Sequence, residues 1–248
     1  MGIKGASEPA GGYGAQRLGS GLIIGLLLLL GGCASVGGGS GEASQDPMEG
    51  VNRKVQAFND GADRALLKPL ARGYQFITPN PVETGVSNFF LNLRTPWTAV
   101  NQLLQGKPKL ALADTGRFLL NSTAGIGGLF DVATDAGLEA HQEDFGQTLA
   151  VWGVPPGNYT VVPFAGPATL RDGLAGIVDT LVYPVRFIED DTVRWSLVGT
   201  DIVQTRAKFL SAEALLRGDR YLFMRDAYLQ RREYLINDGE VEEDPFLD

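Results

Sequence analysis

The sequence predicts a mainly α-helical single domain with little or no β structure. Between residues 46 and 236, apolar side chains recur at intervals of three and four residues, which is the period of an amphipathic helix. Strict alternation of apolar and polar residues, typical of half-buried strands, is rare in the same stretch. This part of the chain has about 190 residues, enough for one domain with a core of its own.

The first segment has the features of a bacterial lipoprotein signal peptide. Basic Lys4 and Arg17 precede an apolar run that is shorter than the ~20 residues of a membrane-spanning helix and ends in two glycines and Cys33. We therefore expect residues 1–32 to be removed and Cys33 to carry the lipid anchor, a diacylglyceryl group with a further acyl chain such as palmitate on the new amino terminus. The alternative is a coincidental cysteine behind a short membrane helix. Cys33 is the only cysteine in the chain.

Two stretches predict segments without a fold of their own. Residues 33–45 comprise Cys33 and a tether rich in glycine and serine, which has little to bury and is expected to be flexible. Residues 237–248 concentrate acidic side chains and predict a disordered, solvated tail, with an acidic docking arm as the alternative. The formal net charge of −8 excludes a typical nucleic-acid-binding protein.

Caps and prolines predict the order of helices within residues 46–236. Asp46 followed by Pro47 is typical of a helix start, because proline fits the first helical position and the carboxylate can cap it. Internal prolines are expected to end helices. The predicted helices are residues 46–67, ending before Pro69; residues 87–93 and 97–104, separated by Pro96; and a run from Pro108 to Leu120.

The clearest amphipathic pattern lies near the carboxyl end. Seven side chains at helical spacing form an apolar stripe, defined here as Trp195, Val198, Ile202, Thr205, Phe209, Ala212 and Leu216. The opposite face carries Asp201, Gln204, Lys208 and Glu213. We expect the apolar stripe to pack into the core of a helical bundle, with an apolar face lying in lipid as the alternative. Gly218 and Asp219 are expected to end this helix and cap the next, residues 220–236.

Two glycine-rich segments interrupt the helical pattern. One contains Gly125, Gly127 and Gly128; the other contains Gly153, Pro155, Pro156 and Gly157. The first is a poor candidate for a phosphate-binding loop, because no strand pattern leads into it and no lysine follows it. Proline and glycine around residues 159–164 restrict any strand there to an edge or a hairpin. A new helix is expected at Leu170.

The sequence offers few catalytic or metal-binding candidates. His141, the only histidine, lies in a polar acidic stretch that predicts a solvated surface loop, and no G-x-S-x-G motif accompanies it. No spacing resembles a zinc or calcium site. The stretches Arg171-Asp172 and Arg231-Arg232-Glu233 predict surface or core-edge ion pairs. Arg171 is also a candidate headgroup contact, because its planar guanidinium matches the oxygen geometry of a phosphate.

Five stretches in order closely resemble the MlaA (VacJ) family of outer-membrane lipoproteins. The resemblance runs from Asp46 to about Ile236, and the lipoprotein signal agrees with it. The stretches are DPMEGVNR (46–53), SNFF (87–90), RFLLNSTAGIGGLFDVA (117–133), EDFGQTL (143–149) and VVPFAGPATLRDG (161–173).

The resemblance implies a helical, ring-like, membrane-associated body with a central amphipathic channel and no enzymatic activity, cofactor, metal or nucleotide. Such a protein lies on the periplasmic side of the outer membrane and associates with a trimeric porin. It removes mislocalised phospholipids from the outer leaflet and passes them to a soluble periplasmic carrier, which maintains lipid asymmetry by retrograde transport. On this basis the glycines at 125, 127, 128, 153 and 157, with Pro155 and Pro156, are candidates for bends that shape or gate the channel. Ordinary tight turns are the alternative.

Two other classes of function share some of these features. A non-catalytic lipoprotein that braces the envelope or a porin would have the anchor and the helices but no need of a channel. A membrane phospholipid hydrolase would need a nucleophile motif that the sequence does not contain.

Overall fold

A computed structural model describes residues 46–213 and 218–240. The predicted signal peptide, Cys33, the tether and most of the acidic tail lie outside the described residues. The helices are α1 Glu49–Ala62, α2 Lys68–Ile77, α3 Asn80–Leu104, α4 Pro108–Thr123, α5 Val132–Asp135, α6 Phe145–Val151, α7 Leu170–Val182, α8 Asp191–Lys208, α9 Leu210–Glu213 and α10 Arg220–Ile236. Two strands, β1 Tyr159–Val162 and β2 Gly166–Thr169, lie between α6 and α7, so the prediction of a mainly helical fold is confirmed.

Two prolines do not end helices where the sequence predicted an end. A π-helical turn, Asp63–Leu67, joins α1 directly to α2, and the wider turn accommodates the ring of Pro69 in the first turn of α2. Pro96 lies inside α3, which continues for 25 residues. The buried Phe90 and Ala99 on either side of Pro96 offset the single backbone hydrogen bond that proline removes.

Other predicted boundaries agree more closely with the structure. Helix α4 begins at Pro108 as predicted and runs three residues beyond Leu120. The side chain of Asp219 caps α10 by accepting hydrogen bonds from the backbone of Tyr221 and Leu222. Asp46 is not the residue that caps α1; Met48 occupies that position, and Asp46 accepts a hydrogen bond from its N–H at 3.1 Å.

The hairpin confirms the prediction that any strand near residues 159–164 is confined to an edge or a hairpin. Strands β1 and β2 are antiparallel, with Tyr159 opposite Thr169. Asn52 on α1 pairs with the outer edge of β1, because its amide donates to the Tyr159 carbonyl at 3.1 Å and accepts from the Val161 N–H at 3.0 Å. The hairpin leads into α7, whose first turn is capped by the Thr169 hydroxyl.

The most extensive packing is between helices. Helices α3 and α4 pack along each other, α8 lies against α2 and α3, and α6 packs on α7. The hairpin contacts α1 and α10, where Tyr159, Val161 and Tyr221 form a small apolar cluster. In the part of the chain that the structure describes, none of the helices combines the length and the apolar character needed to cross a bilayer.

The apolar stripe, of which Leu216 lies outside the described residues, does not form a bundle core, and that prediction is wrong. Trp195 is 66% exposed, whereas Asp201 and Gln204 on the opposite face are 8% and 4% exposed. Helix α8 therefore turns Asp201 and Gln204 to the protein and Trp195 and Ile202 outward. Helical periodicity identifies two faces but does not say which one meets solvent or lipid.

Candidate functional site

Polar side chains fill much of the interior of the described domain. Of its twelve buried hydrophobic residues, seven are alanine, whereas fifteen polar or charged residues are buried. Large apolar side chains are exposed on most of the helices, including Phe76, Leu112, Trp195 and Phe209. Water-soluble domains bury such side chains, because removing apolar area from water drives folding. A surface with this many exposed apolar side chains is typical of one that contacts a membrane or another protein.

The larger cavity has a volume of about 630 Å³ and lies among α3, α4, α8, α10 and the loop after α5. Its walls are rich in charge of both signs. Four carboxylates and four cationic side chains line it together with His141: Asp114, Asp131, Glu143, Asp144, Arg94, Arg117, Lys208 and Arg231. A charged or zwitterionic group inside such a cavity exchanges hydration for protein partners, which lowers the cost of leaving water.

A second cavity, of about 380 Å³, adjoins the first. The two cavities share the lining residues Arg94, Glu143 and Asp144. The second is also lined by Trp97, Asp179 and other residues of α3, α7 and the segment after α7. These three charged side chains therefore border both cavities.

One wall of the larger cavity is held by Arg117 on α4. Its guanidinium donates to both carboxylate oxygens of Asp131, at 2.8 and 2.9 Å, and to the Thr134 hydroxyl at 3.1 Å. Burial favours the neutral form of Asp131, but hydrogen bonds from Thr134, Asn121 and Arg117 outweigh it and lower the pKa of Asp131. The segment after α4 is thereby tied to α4 by a charged, hydrogen-bonded pair.

His141 lies in a loop with exposed neighbours, as predicted, but its own side chain is only partly exposed and has a buried partner. Its Nδ1 lies 2.9 Å from Oδ2 of Asp114, a fully buried carboxylate that also accepts a hydrogen bond from Gln102 at 2.7 Å. This contact connects the loop before α6 with α3 and α4. Sequence spacing gave no sign of it, because the three residues come from three separate segments of the chain.

The opposite rim is held by Arg232 on α10. Its Nη2 donates to Asp144 at 2.6 Å and to Asp172 at 3.1 Å, and the Tyr228 hydroxyl donates to Asp172 at 2.8 Å. Burial alone would raise the pKa of Asp144, but the hydrogen bonds and positive charge of Arg232 outweigh it, and the pKa is lowered. Asp144 also caps α6, so this rim ion-pair cluster of Arg232, Asp144 and Asp172 joins α6, α7 and α10.

Two carboxylates at the cavities have a raised pKa. Burial raises the pKa of Glu143, against a hydrogen bond from Gln105 at 2.8 Å and the charge of Lys107. Burial also raises the pKa of Asp179, which accepts hydrogen bonds from the Trp97 indole and the Phe145 N–H. Partly desolvated carboxylates beside a cavity are a frequent property of functional sites.

The first glycine-rich segment is a closely packed turn that ends α4. Backbone hydrogen bonds hold it on both sides, including Gly128 N–H to Asn121 O at 2.8 Å and Phe130 N–H to Gly125 O at 2.9 Å. A Cβ at Gly125 would lie 2.2 Å from the Phe130 carbonyl oxygen, and one at Gly128 would lie 2.6 Å from the Asn92 side chain. Gly127, between them, has open space around it. Asn92 and Asn121 line the larger cavity, so the segment supports the cavity wall from behind.

The second segment, Gly153 to Gly157, is an exposed loop between α6 and β1, and the hairpin turn itself lies further on, at residues 163–165. Neither this loop nor Arg171 lines the two cavities. Arg171 is buried and holds the loop: its backbone N–H donates to the Pro156 carbonyl and its guanidinium to the Val154 carbonyl and to Asp172. A headgroup contact at Arg171 stays a prediction.

Sequence analysis missed most of the residues that meet in the cavities. Arg94 lies on α3, Asp114 and Arg117 on α4, and Lys208 on α8, so residues far apart in sequence meet at the larger cavity. The sequence shows the polar face of α8 as Asp201, Gln204 and Lys208 at three- and four-residue spacing. This pattern alone predicts that the polar face meets solvent. The chain has more large apolar residues than one small core can hold. That excess was the sequence signal that apolar faces such as that of α8 point outward.

Comparisons with known proteins agree with the arrangement described above. A family model described as MlaA lipoprotein matches residues 44–235. The chain is 38% identical over 231 residues to the intermembrane phospholipid transport system lipoprotein MlaA of Shigella flexneri, and 36% identical over 235 residues to that of Escherichia coli (strain K12); each alignment covers 90% of both chains. A solved structure, from work on the structural basis for maintenance of bacterial outer membrane lipid asymmetry, matches with a TM-score of 0.68 and 34% identity. That match covers 77% of this chain and 99% of the other.

Gly146 provides a test of the rim ion-pair cluster. A Cβ there would lie 2.4 Å from Nη2 of Arg232 and 2.6 Å from Oδ1 of Asp172. We expect Gly146→Ala to lower the free energy of unfolding in urea by about 1–3 kcal/mol, because the buried ion pairs must separate. The control is Gly116→Ala in α4, where the nearest atom lies 3.7 Å away; it should be neutral or stabilising by up to ~1 kcal/mol. Equal stability of the Gly146→Ala and parent proteins would show that this cluster does not constrain the rim.

Proposed function

The chain belongs to the MlaA lipoprotein family, and from this premise we propose how it works as an outer-membrane lipoprotein of phospholipid transport. The protein takes mislocalised phospholipids from the outer leaflet of the outer membrane and passes them to a periplasmic carrier. Its action maintains the lipid asymmetry of that membrane.

The observation that carries this proposal is a charged cavity inside a domain with an apolar exterior. A phospholipid headgroup crosses hydrocarbon at a high cost, because its charges lose their hydration. The larger cavity offers acidic and basic side chains in equal number, to which a headgroup can transfer its polar contacts. The acyl tails need no such path and can stay against apolar surfaces.

We propose that the protein is anchored rather than membrane-spanning. In this account residues 1–32 are a cleaved signal peptide, Cys33 carries the acyl chains and residues 34–45 tether residues 46–236 to them, with an acidic tail beyond. Two or more acyl chains make a lasting anchor, since each buried methylene contributes about 0.8 kcal/mol. The exposed apolar side chains of the helices, such as Trp195 on α8 and Phe76 on α2, then lie in the inner leaflet of the outer membrane.

The proposal includes partners and a mode of action that rest on the family. A trimeric porin binds the protein in the outer membrane, and a soluble carrier receives the lipid on the periplasmic side. The protein acts as a conduit without catalysis, metal or nucleotide. Direction then comes from the carrier and the driven step behind it, because a passive path works both ways.

Outer-leaflet phospholipid measures this function directly. The gene is deleted, and intact cells are labelled with a surface-restricted lipid acyltransferase that modifies only outer-leaflet phospholipid. We expect the labelled product to rise on deletion, to fall with the wild-type gene and to stay high with Cys33→Ala, because an unanchored domain cannot reach the membrane. A Cys33→Ser variant is the size-matched control for loss of the thiol and should behave like Cys33→Ala.

Two results would contradict the proposal. Unchanged outer-leaflet phospholipid after deletion, with normal expression in the parent, would favour the bracing lipoprotein. Appearance of lysophospholipid or free fatty acid on incubation of the purified protein with phospholipid would favour the hydrolase.

We further propose that the loop Gly153 to Gly157 controls access to the cavities. The loop is exposed and follows α6, whose residue Gln147 lines the larger cavity and whose capping residue Asp144 lines both. Gly153 and Gly157 both have positive φ, at 86° and 68°, while Pro155 and Pro156 stiffen the loop between them. Movement about the two glycines would therefore move the rim. The packed glycines 125, 127 and 128 shape the wall in this account and do not hinge.

A double Gly153→Pro, Gly157→Pro variant tests the gate. Proline cannot adopt positive φ, so the variant holds the loop away from its present conformation. We expect outer-leaflet phospholipid to rise at least halfway to the deletion level while the amount of membrane-bound protein is unchanged. Pro155→Ala, Pro156→Ala is the control and should keep more activity, because alanine tolerates the same backbone angles. Normal transport by a folded, membrane-bound double proline variant would contradict the gate.

A further inference from the structure

We propose that Arg94 on α3 and Lys208 on α8 form a binding site for the phosphate group of a phospholipid, on the wall of the larger cavity. This inference deepens the proposed function and rests on it. Arg94 and Lys208 then bind the phosphate end of the headgroup. Neither the sequence motifs nor the family relationship gives these two side chains that role.

Arg94 and Lys208 lie on two helices that pack against each other. Helices α3 and α8 run antiparallel where they meet, because Arg94 bonds to Asp201 while Ser87, two turns earlier on α3, accepts a hydrogen bond from Lys208, two turns later on α8. Seven residues make about two turns, so Ser87 and Arg94 lie on one side of α3, and Asp201 and Lys208 lie on one side of α8. Both cations line the larger cavity.

A second feature of this wall is its charge balance. Asp201 is the carboxylate that pairs with Arg94, and it also accepts hydrogen bonds from the Tyr183 hydroxyl and the Gln204 amide, each at 3.0 Å. Lys208 forms no ion pair within residues 46–213 and 218–240; its recorded partner is the Ser87 hydroxyl. Two cations thus share one carboxylate whose oxygens already have several donors.

The lowered pKa of Lys208 reflects its burial and the positive charge of the neighbouring Arg94. Burial lowers the pKa of Lys208, and the charge of Arg94 lowers it further, against the opposing effect of Asp201. A lysine whose pKa falls beside another cation gains most when an anion binds between them, because the anion favours the charged ammonium.

A third feature of this wall is its fit to a phosphate. A guanidinium and an ammonium are the side chains that bind phosphate oxygens most strongly, through charge-assisted hydrogen bonds. Neutral polar groups on the same wall, Ser87, Asn88 and Thr205, can hydrogen-bond to the remaining oxygens. The carboxylates that also line the cavity, such as Asp114, Asp131 and Glu143, suit the ammonium end of a zwitterionic headgroup.

The test measures binding of phosphatidylglycerol and of diacylglycerol with the same acyl chains to the full-length protein in detergent micelles, by tryptophan fluorescence. We expect Lys208→Gln to weaken phosphatidylglycerol binding about 5- to 20-fold and to leave diacylglycerol binding unchanged, since only the former carries a phosphate. Arg94→Gln, Lys208→Gln should weaken it further. Lys54→Gln, Arg64→Gln removes the same charge at exposed positions outside the cavities and should bind like the parent.

Lys208→Gln is expected to keep the native fold, because it leaves the Arg94–Asp201 pair intact. Equal phosphatidylglycerol binding by the parent and both cavity variants would overturn the phosphate site while leaving the proposed function standing. Failure of the parent to bind any phospholipid would overturn the proposed function itself.

Competition with inorganic phosphate distinguishes a phospholipid phosphate from free phosphate as the ligand of this site. We expect 20 mM inorganic phosphate to compete only weakly with phosphatidylglycerol, beyond the effect of an equal ionic strength of chloride, because the free anion lacks the acyl chains. Strong, Lys208-dependent binding of inorganic phosphate without Lys208-dependent lipid binding would overturn the lipid assignment.

Discussion

The structure depends on the pairing of buried polar groups. A domain whose large apolar side chains point outward cannot be stabilised mainly by a hydrophobic core, and most buried apolar residues here are alanine. Its helices are instead joined by hydrogen-bonded charges, such as Arg117 with Asp131 and Arg232 with Asp144 and Asp172. Such pairs hold a unique geometry only while every member is satisfied, because an unpaired buried charge is strongly destabilising.

The same pairing explains how the interior can serve a lipid headgroup. Arg117, Asp131 and Asp144 take part in these pairs and also line the larger cavity, which has four carboxylates and four cationic side chains. Arg117 and Arg232 donate hydrogen bonds to carboxylates, whereas Lys208 has a hydroxyl partner and Arg94 shares its carboxylate with two other donors. In this account the first group builds the path and the second meets the headgroup. The raised pKa of Glu143 and of Asp179 follows from their burial, which disfavours the charged carboxylate.

Local rules predicted the local features and failed where tertiary packing decides. The start of α4 at Pro108, the Asp219 cap and the hairpin follow from residues close in sequence. Pro96 and Pro69 lie inside continuous helices, because packing and a π turn outweigh the proline penalty. The reversed orientation of α8 and the contact of His141 with Asp114 depend on partners far apart in sequence, or on the solvent that each face meets, and neither is encoded in spacing.

The most direct test of this account is the environment of the two faces in a bilayer. Because Cys33 is the only native cysteine and is acylated in this account, a nitroxide can be attached to a single introduced cysteine and its collisions with oxygen and with a water-soluble nickel chelate compared. The account predicts that labels at Trp195→Cys and Phe76→Cys collide mainly with oxygen, which partitions into lipid, and that a label at Thr95→Cys, on the cavity wall, collides mainly with nickel. Nickel-dominated collisions at Trp195→Cys and Phe76→Cys would contradict the account, because the apolar exterior would then face water.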